Sequence, residues 1–122
     1  MEDDDLLLTR TVVRRGTALV SLDGELDIAT APLVVDAVTR ALQERPLRLD
    51  VSVAALAFCD VAGVRALLQA RRVCRAHHSE FRLVGVRPRF LRVLALLRVT
   101  ELLSSQPAPV GSRAGVLSSE SP

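Results

Sequence analysis

Apolar residues recur along this chain with two different periods, and the two periods alternate. Residues 6–13 and 18–22 are strand-like runs on either side of Arg15-Gly16, and this arrangement predicts a β-hairpin. Thr30 then precedes Pro32, a pairing typical of a helix N-cap followed by a proline in the first turn. The next apolar positions have the spacing of an amphipathic helix: Leu33, Val34, Ala37, Val38, Ala41 and Leu42.

The same alternation continues through the second half of the chain. Arg45-Pro46 ends the first helix, and residues 47–51 predict a strand that is central because it has little room for polar residues. Residues 61–77 predict a second helix that buries Val64, Leu67, Leu68 and Cys74. The pattern then predicts a strand at 81–84, a turn at Gly85 and a helix at 88–97. We therefore expect an α/β fold: a mixed β-sheet of four to five strands with three or more helices packed mainly on one face.

The two ends of the chain differ from this pattern. Residues 1–5 are acidic and residues 104–122 are rich in Ser, Pro and Gly, so we expect disordered tails around one folded domain at 6–103. The acidic start lacks the positive charge and apolar run of a secretory signal, and no apolar segment approaches the length of a membrane span. These features predict a cytoplasmic protein with reduced cysteines and no membrane partner.

Composition and charge narrow the function classes. Aromatic residues make up only 2% of the chain, which disfavours sugar binding and base stacking. Residues 1–60 carry 6 Arg and 11 acidic residues, a net charge of −5, whereas residues 61–122 carry 10 Arg and 3 acidic residues, a net charge of +7. A basic half can attract nucleic acid, but no nucleic-acid motif accompanies the arginines. We therefore expect solvated helix faces and no nucleic-acid partner, with these arginines on them: Arg65, Arg71, Arg72, Arg75, Arg87, Arg89, Arg92 and Arg98.

The most informative stretch is 56–64, an apolar run that breaks at Asp60 and continues as a helix. It predicts the end of a buried strand, an Asp N-cap and a first helical turn. Upstream of this stretch, residues 47–52 predict a strand. Residues 19–27 predict another strand, which ends in an acidic loop that contains a glycine. Leu83-Val84-Gly85 follows these three segments along the chain. The order and spacing of all four segments resemble the STAS domain of bacterial anti-sigma factor antagonists.

The resemblance carries a specific expectation about regulation. In that family the helix opens with Asp-Ser-Ser-Gly, and a partner kinase phosphorylates the first serine. Here the matching residues are Asp60, Val61, Ala62 and Gly63, so both hydroxyls are missing and Val61 cannot be a phosphosite. The resemblance implies an antagonist that binds a kinase-type anti-sigma factor and frees a sigma factor without this switch. It implies a partner-binding surface at Asp23, Gly24, Glu25, Asp27, Thr30, Asp60, Val61, Ala62, Gly63 and Arg65.

The sequence also departs from the family where helices end. The family usually has glycine after the second helix and near position 98, where this chain has Ala76-His77-His78-Ser79 and Arg98. A helix that ends in a left-handed residue favours glycine there, and histidine adopts that conformation only at an energetic cost.

Other chemistry finds little support in the sequence. Asp23, Glu25 and Asp27 predict a solvated loop and no metal site, because no calcium-loop spacing follows. Adjacent residues on a helix point in different directions, so we do not expect His77 and His78 to form one metal site or one catalytic site. No phosphate-binding loop or nucleophile elbow is present, and the carboxylate of Asp60 makes Cys59 a poor thiolate, so we expect no enzyme and no cofactor.

Three alternatives stay open at this point. The chain could be a STAS scaffold or adaptor in another signalling or transport assembly, or a STAS module that binds a small nucleotide or lipid. A different hydroxyl, on Ser21, Thr30 or Ser52, could also accept a phosphate in place of the missing serine.

Overall fold

The computed structural model describes residues 6–103, and the two predicted tails, 1–5 and 104–122, lie outside the described residues. Four strands and three helices alternate along the chain. They are β1 (Leu7–Arg14), β2 (Thr17–Leu26), α1 (Ala31–Leu42), β3 (Arg48–Cys59), α2 (Val61–Ala76), β4 (Glu80–Val84) and α3 (Pro88–Leu96), followed by a 3-10 turn at Thr100–Leu102.

The strands form one mixed sheet in the order β1-β2-β3-β4. β1 and β2 are an antiparallel hairpin, and the two-residue loop has positive φ at both Arg15 (50°) and Gly16 (82°), as a type I′ turn requires. β2, β3 and β4 pair in parallel through the crossover helices α1 and α2. The mixed sheet and the central position of β3 confirm the fold that the alternating periods predicted.

One face of the sheet carries the core. Alternate residues of β2 and β3 are buried, and they pack with the apolar stripes of α1 and α2. The leucine of α3 that joins this core, Leu94, is fully buried. The fully buried residues of the sheet and the two crossover helices include Ala18, Val20, Leu49, Val51, Val34, Val38, Leu67, Ala70 and Cys74.

The ends of β2 and β3 differ from the prediction. Both strands run further than expected, to Leu26 and Cys59, and the last third of β3 is not buried as the apolar run suggested. Phe58 is 51% exposed, and of residues 54–59 only Leu56 and Cys59 pack against the core. The β2–β3 ladder has two register shifts here, so the side chains between these two residues turn away from the core. In α1, Leu33 is also outside the core, with 42% exposure.

Each helix is followed by a non-glycine residue in the left-handed region, and after α2 and α3 these are the positions where a glycine was missing. Arg45 follows α1 with φ 54°, His78 follows α2 with φ 58°, and Arg98 follows α3 with φ 57°. After α2, the amide of Ser79 donates to the carbonyl of Cys74 and the amide of His78 to that of Arg75, which is the hydrogen-bond pair of a Schellman motif.

Candidate functional site at the start of helix α2

Helix α2 begins at a side-chain cap. Asp60 has extended backbone angles, and its Oδ1 accepts a hydrogen bond of 2.9 Å from the amide of Gly63. The carbonyl of Asp60 accepts from the amide of Val64 at 3.0 Å. The predicted N-cap is confirmed. It satisfies one of the free amides of the first turn and fixes the direction in which the helix leaves the sheet.

Gly63 lets the start of α2 lie directly against the end of β2. A Cβ atom at this position would be 2.7 Å from Leu26 Cγ and 2.8 Å from Cys59 Sγ. The amide of Asp60 also donates to the carbonyl of Leu26 at 3.2 Å. Because Leu26 is fully buried, the cap, the helix start and the core are one packed unit.

The loop between β2 and α1 is held by its own side chains. Asp27 Oδ1 accepts from the amides of Ala29 (2.9 Å) and Thr30 (3.1 Å), which is an Asx turn. Thr30 Oγ1 accepts from the amide of Asp27 and donates to the carbonyl of Glu25, each at 2.9 Å. The loop therefore has little freedom, although it contains no regular secondary structure.

Thr30 has a different role from the one expected. It occupies the N-cap position of α1, but its hydroxyl makes no cap hydrogen bond to that helix and instead ties the loop together. Its side chain is only 6% exposed, so a partner cannot reach it and its contribution to a binding surface is to position the loop.

Gly24 brings the start of the described chain to the same end of the sheet. A Cβ on Gly24 would collide with the carbonyl oxygen of Leu6, and that carbonyl accepts from the amide of Glu25 at 2.6 Å. Gly24 also has a φ of 123°, which disfavours any other residue. The carboxylates of Asp23 and Glu25 on either side of it are exposed.

Several large apolar side chains are exposed around the cap. Val61, the first residue of α2, is 47% exposed, Phe58 is 51% exposed, and Ile28 in the β2–α1 loop is 79% exposed. Phe58 pairs with Glu25 across the β2–β3 ladder. We call Glu25, Ile28, Phe58 and Val61 the α2-start surface. Exposed apolar side chains rimmed by charge are typical of protein-binding surfaces.

Two residues of this surface, Ile28 and Phe58, were absent from the sequence-based set. Phe58 is one of only three aromatic residues in the chain, and it lies two residues before Asp60. This rare residue type so close to the cap was the sequence signal that could have drawn attention to it. Of the other residues in the sequence-based set, Ala62 is half-buried, Gly63 is buried and Arg65 is exposed on the first turns of α2.

Both cysteines are protonated at neutral pH. Burial, and then the charge of Asp60, raises the pKa of Cys59 to about 12. Burial alone raises the pKa of Cys74 to about 12. Cys59 Sγ lies 3.6 Å from the carbonyl of Asp60, its hydrogen-bond acceptor. A thiol with such a pKa is a poor nucleophile, so Cys59 contributes packing behind the cap.

An open depression of about 650 Å³ lies at the opposite end of α2, away from the cap. It is lined by the C-terminal ends of α1 and α2 and the residues after them: Leu42, Gln43, Arg45, Pro46, Leu47, Ala76, His77 and His78. Nδ1 of His77 lies 2.9 Å from the carbonyl of Val73, so this nitrogen is engaged within its own helix. Within residues 6–103 no group of three metal-binding side chains comes together, and no helix has the length and apolar character to cross a membrane.

Comparison with known proteins identifies the family. Residues 9–110 match the STAS domain, and the chain belongs to the STAS-domain family. No curated protein matches it in sequence.

Solved structures share this fold at low sequence identity. An anti-sigma factor antagonist from Mycobacterium paratuberculosis is 23% identical, with a TM-score of 0.69 over 83% of this chain and 86% of that one. A sulfate transporter family protein from Wolinella succinogenes is 22% identical, with a TM-score of 0.64 over 75% of each chain. The anti-sigma factor antagonist SpoIIAA in its unphosphorylated form is 23% identical, with a TM-score of 0.59 over 73% of this chain and 83% of that one.

Proposed function

We propose that this protein is an anti-sigma factor antagonist that binds a kinase-type anti-sigma factor through the α2-start surface and thereby releases a sigma factor. Membership of the STAS family and the two antagonist structures that share its fold support this role. The observation that carries the proposal is the exposure of Val61 at the first position of a capped helix, three residues after the exposed Phe58.

Val61 makes the antagonist insensitive to the kinase activity of its partner. A phosphate at this position would add a charge of about −1.5 to −2 next to Asp60 and in the middle of apolar side chains. Valine has no oxygen to accept a phosphate. The surface therefore stays in its unphosphorylated, binding-competent state, and the amount of the protein controls how much sigma factor is free.

Charged residues at the rim of the surface orient the partner. Asp23 and Glu25 are exposed at the end of β2, the half-buried Asp27 follows in the loop, and Arg65 is exposed on the first turns of α2. Exposed charges at a rim act mainly on the rate and specificity of association, whereas the apolar centre supplies the affinity. We assign Ile28, Phe58 and Val61 to the centre.

An affinity experiment with matched variants tests the role. The full-length protein, Val61→Ala and Val61→Asp are each immobilised and exposed to cytosol of the native cell, and the retained proteins are identified by mass spectrometry. We expect wild type and Val61→Ala to retain an ATPase-type protein kinase, and Val61→Asp to lose it. Retention of the same proteins by all three variants would contradict a role for the α2-start surface.

A second experiment tests the missing switch. When the retained kinase and ATP are added, the mass of wild type stays unchanged and its complex persists. Val61→Ser restores a hydroxyl at the first position of α2, so this variant gains one phosphate and releases the kinase. Phosphorylation of wild type in the same assay would show that another residue, such as Ser21 or Ser52, is the acceptor.

The similarity to a sulfate transporter family protein favours one other role, that of an adaptor subunit in a transport assembly. The affinity experiment separates the two, because it would then recover a transporter subunit and no kinase. A gene for a kinase-type anti-sigma factor beside this one would favour the first role, and a transporter gene the second.

A further inference from the structure

Among the described residues 6–103, no strand pairs with the outer edge of β1. This strand is eight residues long, lies at the end of the sheet order and pairs with β2 without any bulge. Seven of its eight residues are exposed, Leu7 being the exception. The opposite edge strand, β4, has only five residues and carries Glu80 and Arg82. Edge strands are usually protected from pairing by being short or by bulges, prolines or charges. Of these features, β1 has only the charges of Arg10 and Arg14.

The direction of the free backbone groups follows from the ladder. The carbonyl of Leu6 accepts from the amide of Glu25 in β2, and the pairing is regular from Leu7 to Arg14. Backbone groups alternate in direction along an antiparallel strand. Even-numbered residues of β1 therefore direct their amides and carbonyls at β2, and the odd-numbered residues Thr9, Thr11 and Val13 direct theirs outward.

We propose that two copies of this chain pair through the outer edges of their β1 strands, antiparallel and centred on Thr11, into a continuous eight-stranded sheet. In this arrangement Thr11 lies opposite Thr11 of the partner subunit, and Thr9 lies opposite Val13 of the partner subunit. Both are pairs of β-branched residues whose free backbone groups face each other, which is the arrangement that stabilises a sheet.

The two arginines of β1 select this register. With the strands centred on Thr11, Arg10 lies opposite Val12 of the partner subunit and Arg14 opposite Leu8 of the partner subunit, so each arginine stem covers an exposed apolar side chain. A shift of two residues in one direction puts Arg10 opposite the partner's Arg10. A shift in the other direction puts Arg10 opposite the partner's Arg14. Like charges directly opposite each other destabilise a strand pair.

The proposal concerns a different surface from the α2-start surface, and it stands independently of the proposed function. The exposed apolar residues that it explains are Leu8 (66%), Val12 (43%) and Val13 (39%). None of them belongs to the α2-start surface itself, although Leu8 pairs with Asp23 at its rim.

Measurement of the molar mass in solution tests the pairing. We expect the full chain to shift from monomer to dimer with rising concentration in analytical ultracentrifugation. Thr11→Asp and Thr11→Arg each place like charges opposite each other at the centre, so each weakens dimerisation by about tenfold or more. Thr39→Asp, at an exposed threonine of α1, is the matched control and dimerises like wild type.

Mixing the two charged variants tests the register. Equal amounts of Thr11→Asp and Thr11→Arg bring opposite charges together at the centre and restore a dimer with one copy of each. Circular dichroism melts show whether each variant is folded. A wild type that stays monomeric, a dimer that Thr11→Asp leaves intact, or folded variants that fail to pair when mixed would each overturn the proposal.

Discussion

At the scale of single residues, Asp60 has the best-defined role in the structure. Its carboxylate accepts from the amide of Gly63 at 2.9 Å and so caps α2. Asp60→Ala removes this acceptor, and we expect the free energy of unfolding to fall by about 1 kcal/mol with the fold retained. Asp60→Asn keeps an oxygen in place, so we expect a smaller decrease in its free energy of unfolding. Urea unfolding measures both, and an Asp60→Ala variant as stable as wild type would show that the cap contributes nothing.

The two thiols predict how stability depends on alkaline pH. Their pKa is about 12 in the folded protein and about 9 in the unfolded chain, so the thiol form is favoured by folding. This contribution is fully present below about pH 9 and is lost as the pH rises from about 9 towards 12. The chain contains no lysine and no tyrosine, so no other side chain titrates between these values.

Urea unfolding at several pH values checks this expectation. The stability of wild type falls over that interval, whereas the double variant Cys59→Ala and Cys74→Ala shows a flatter pH dependence. As a second readout, iodoacetamide at pH 8 modifies both cysteines rapidly only in urea. Rapid modification of native Cys59 would contradict its raised pKa.

At the scale of helices and strands, the chain ends its helices with residues that are strained there. His78 and Arg98 have φ near 58° and 57°, a conformation that glycine adopts without the clash of a Cβ. We expect His78→Gly and Arg98→Gly each to raise the free energy of unfolding by about 0.5–1 kcal/mol. Arg72→Gly, at an exposed position inside α2, is the control and lowers it by about 1 kcal/mol. Thermal melts that place all three variants on the same side of wild type would contradict this assignment.

The elements themselves were predictable because their hydrophobic patterns and their end signals agree. Three local features were predicted at the positions where the structure has them. They are the hairpin turn at Arg15-Gly16, the N-cap at Asp60 and the apolar stripe of α2. The extent of exposure was less predictable. Phe58 belongs to an apolar run that looked buried, but whether a side chain is covered depends on elements distant in sequence, and here two register shifts turn it outward.

The candidate site was predictable in part for the same reason. Gly24 and Gly63 were named from the motif alone, and the structure shows that their close neighbours leave no room for a Cβ, while their part in partner binding stays a prediction. Thr30 is the N-cap residue of α1 as predicted, but its hydroxyl bonds within the loop, because one hydroxyl can satisfy either a helix end or a loop. Its bond to the carbonyl of Glu25, five residues earlier, depends on how the loop folds back.

At the scale of the whole molecule, charge is divided between the two halves of the sequence. Nine arginines and two glutamates lie within residues 61–103. No nucleic-acid motif accompanies them, so they offer only unspecific attraction to a polyanion. We expect no measurable binding to duplex DNA at physiological salt, and any retention at about 50 mM salt should disappear by about 200 mM. A complex that survives the higher salt and depends on DNA sequence would contradict this expectation.

The contact of Gly63 with Leu26 also determines how the α2-start surface fluctuates. Because the amide of Asp60 is bonded to the carbonyl of a fully buried residue, that amide can reach solvent only when the β2 end and the helix start separate, which exposes part of the core. Hydrogen exchange at Asp60 should therefore be as slow as exchange at the centre of β3. A partner then meets a surface whose shape is already set before binding, and little ordering entropy opposes the complex.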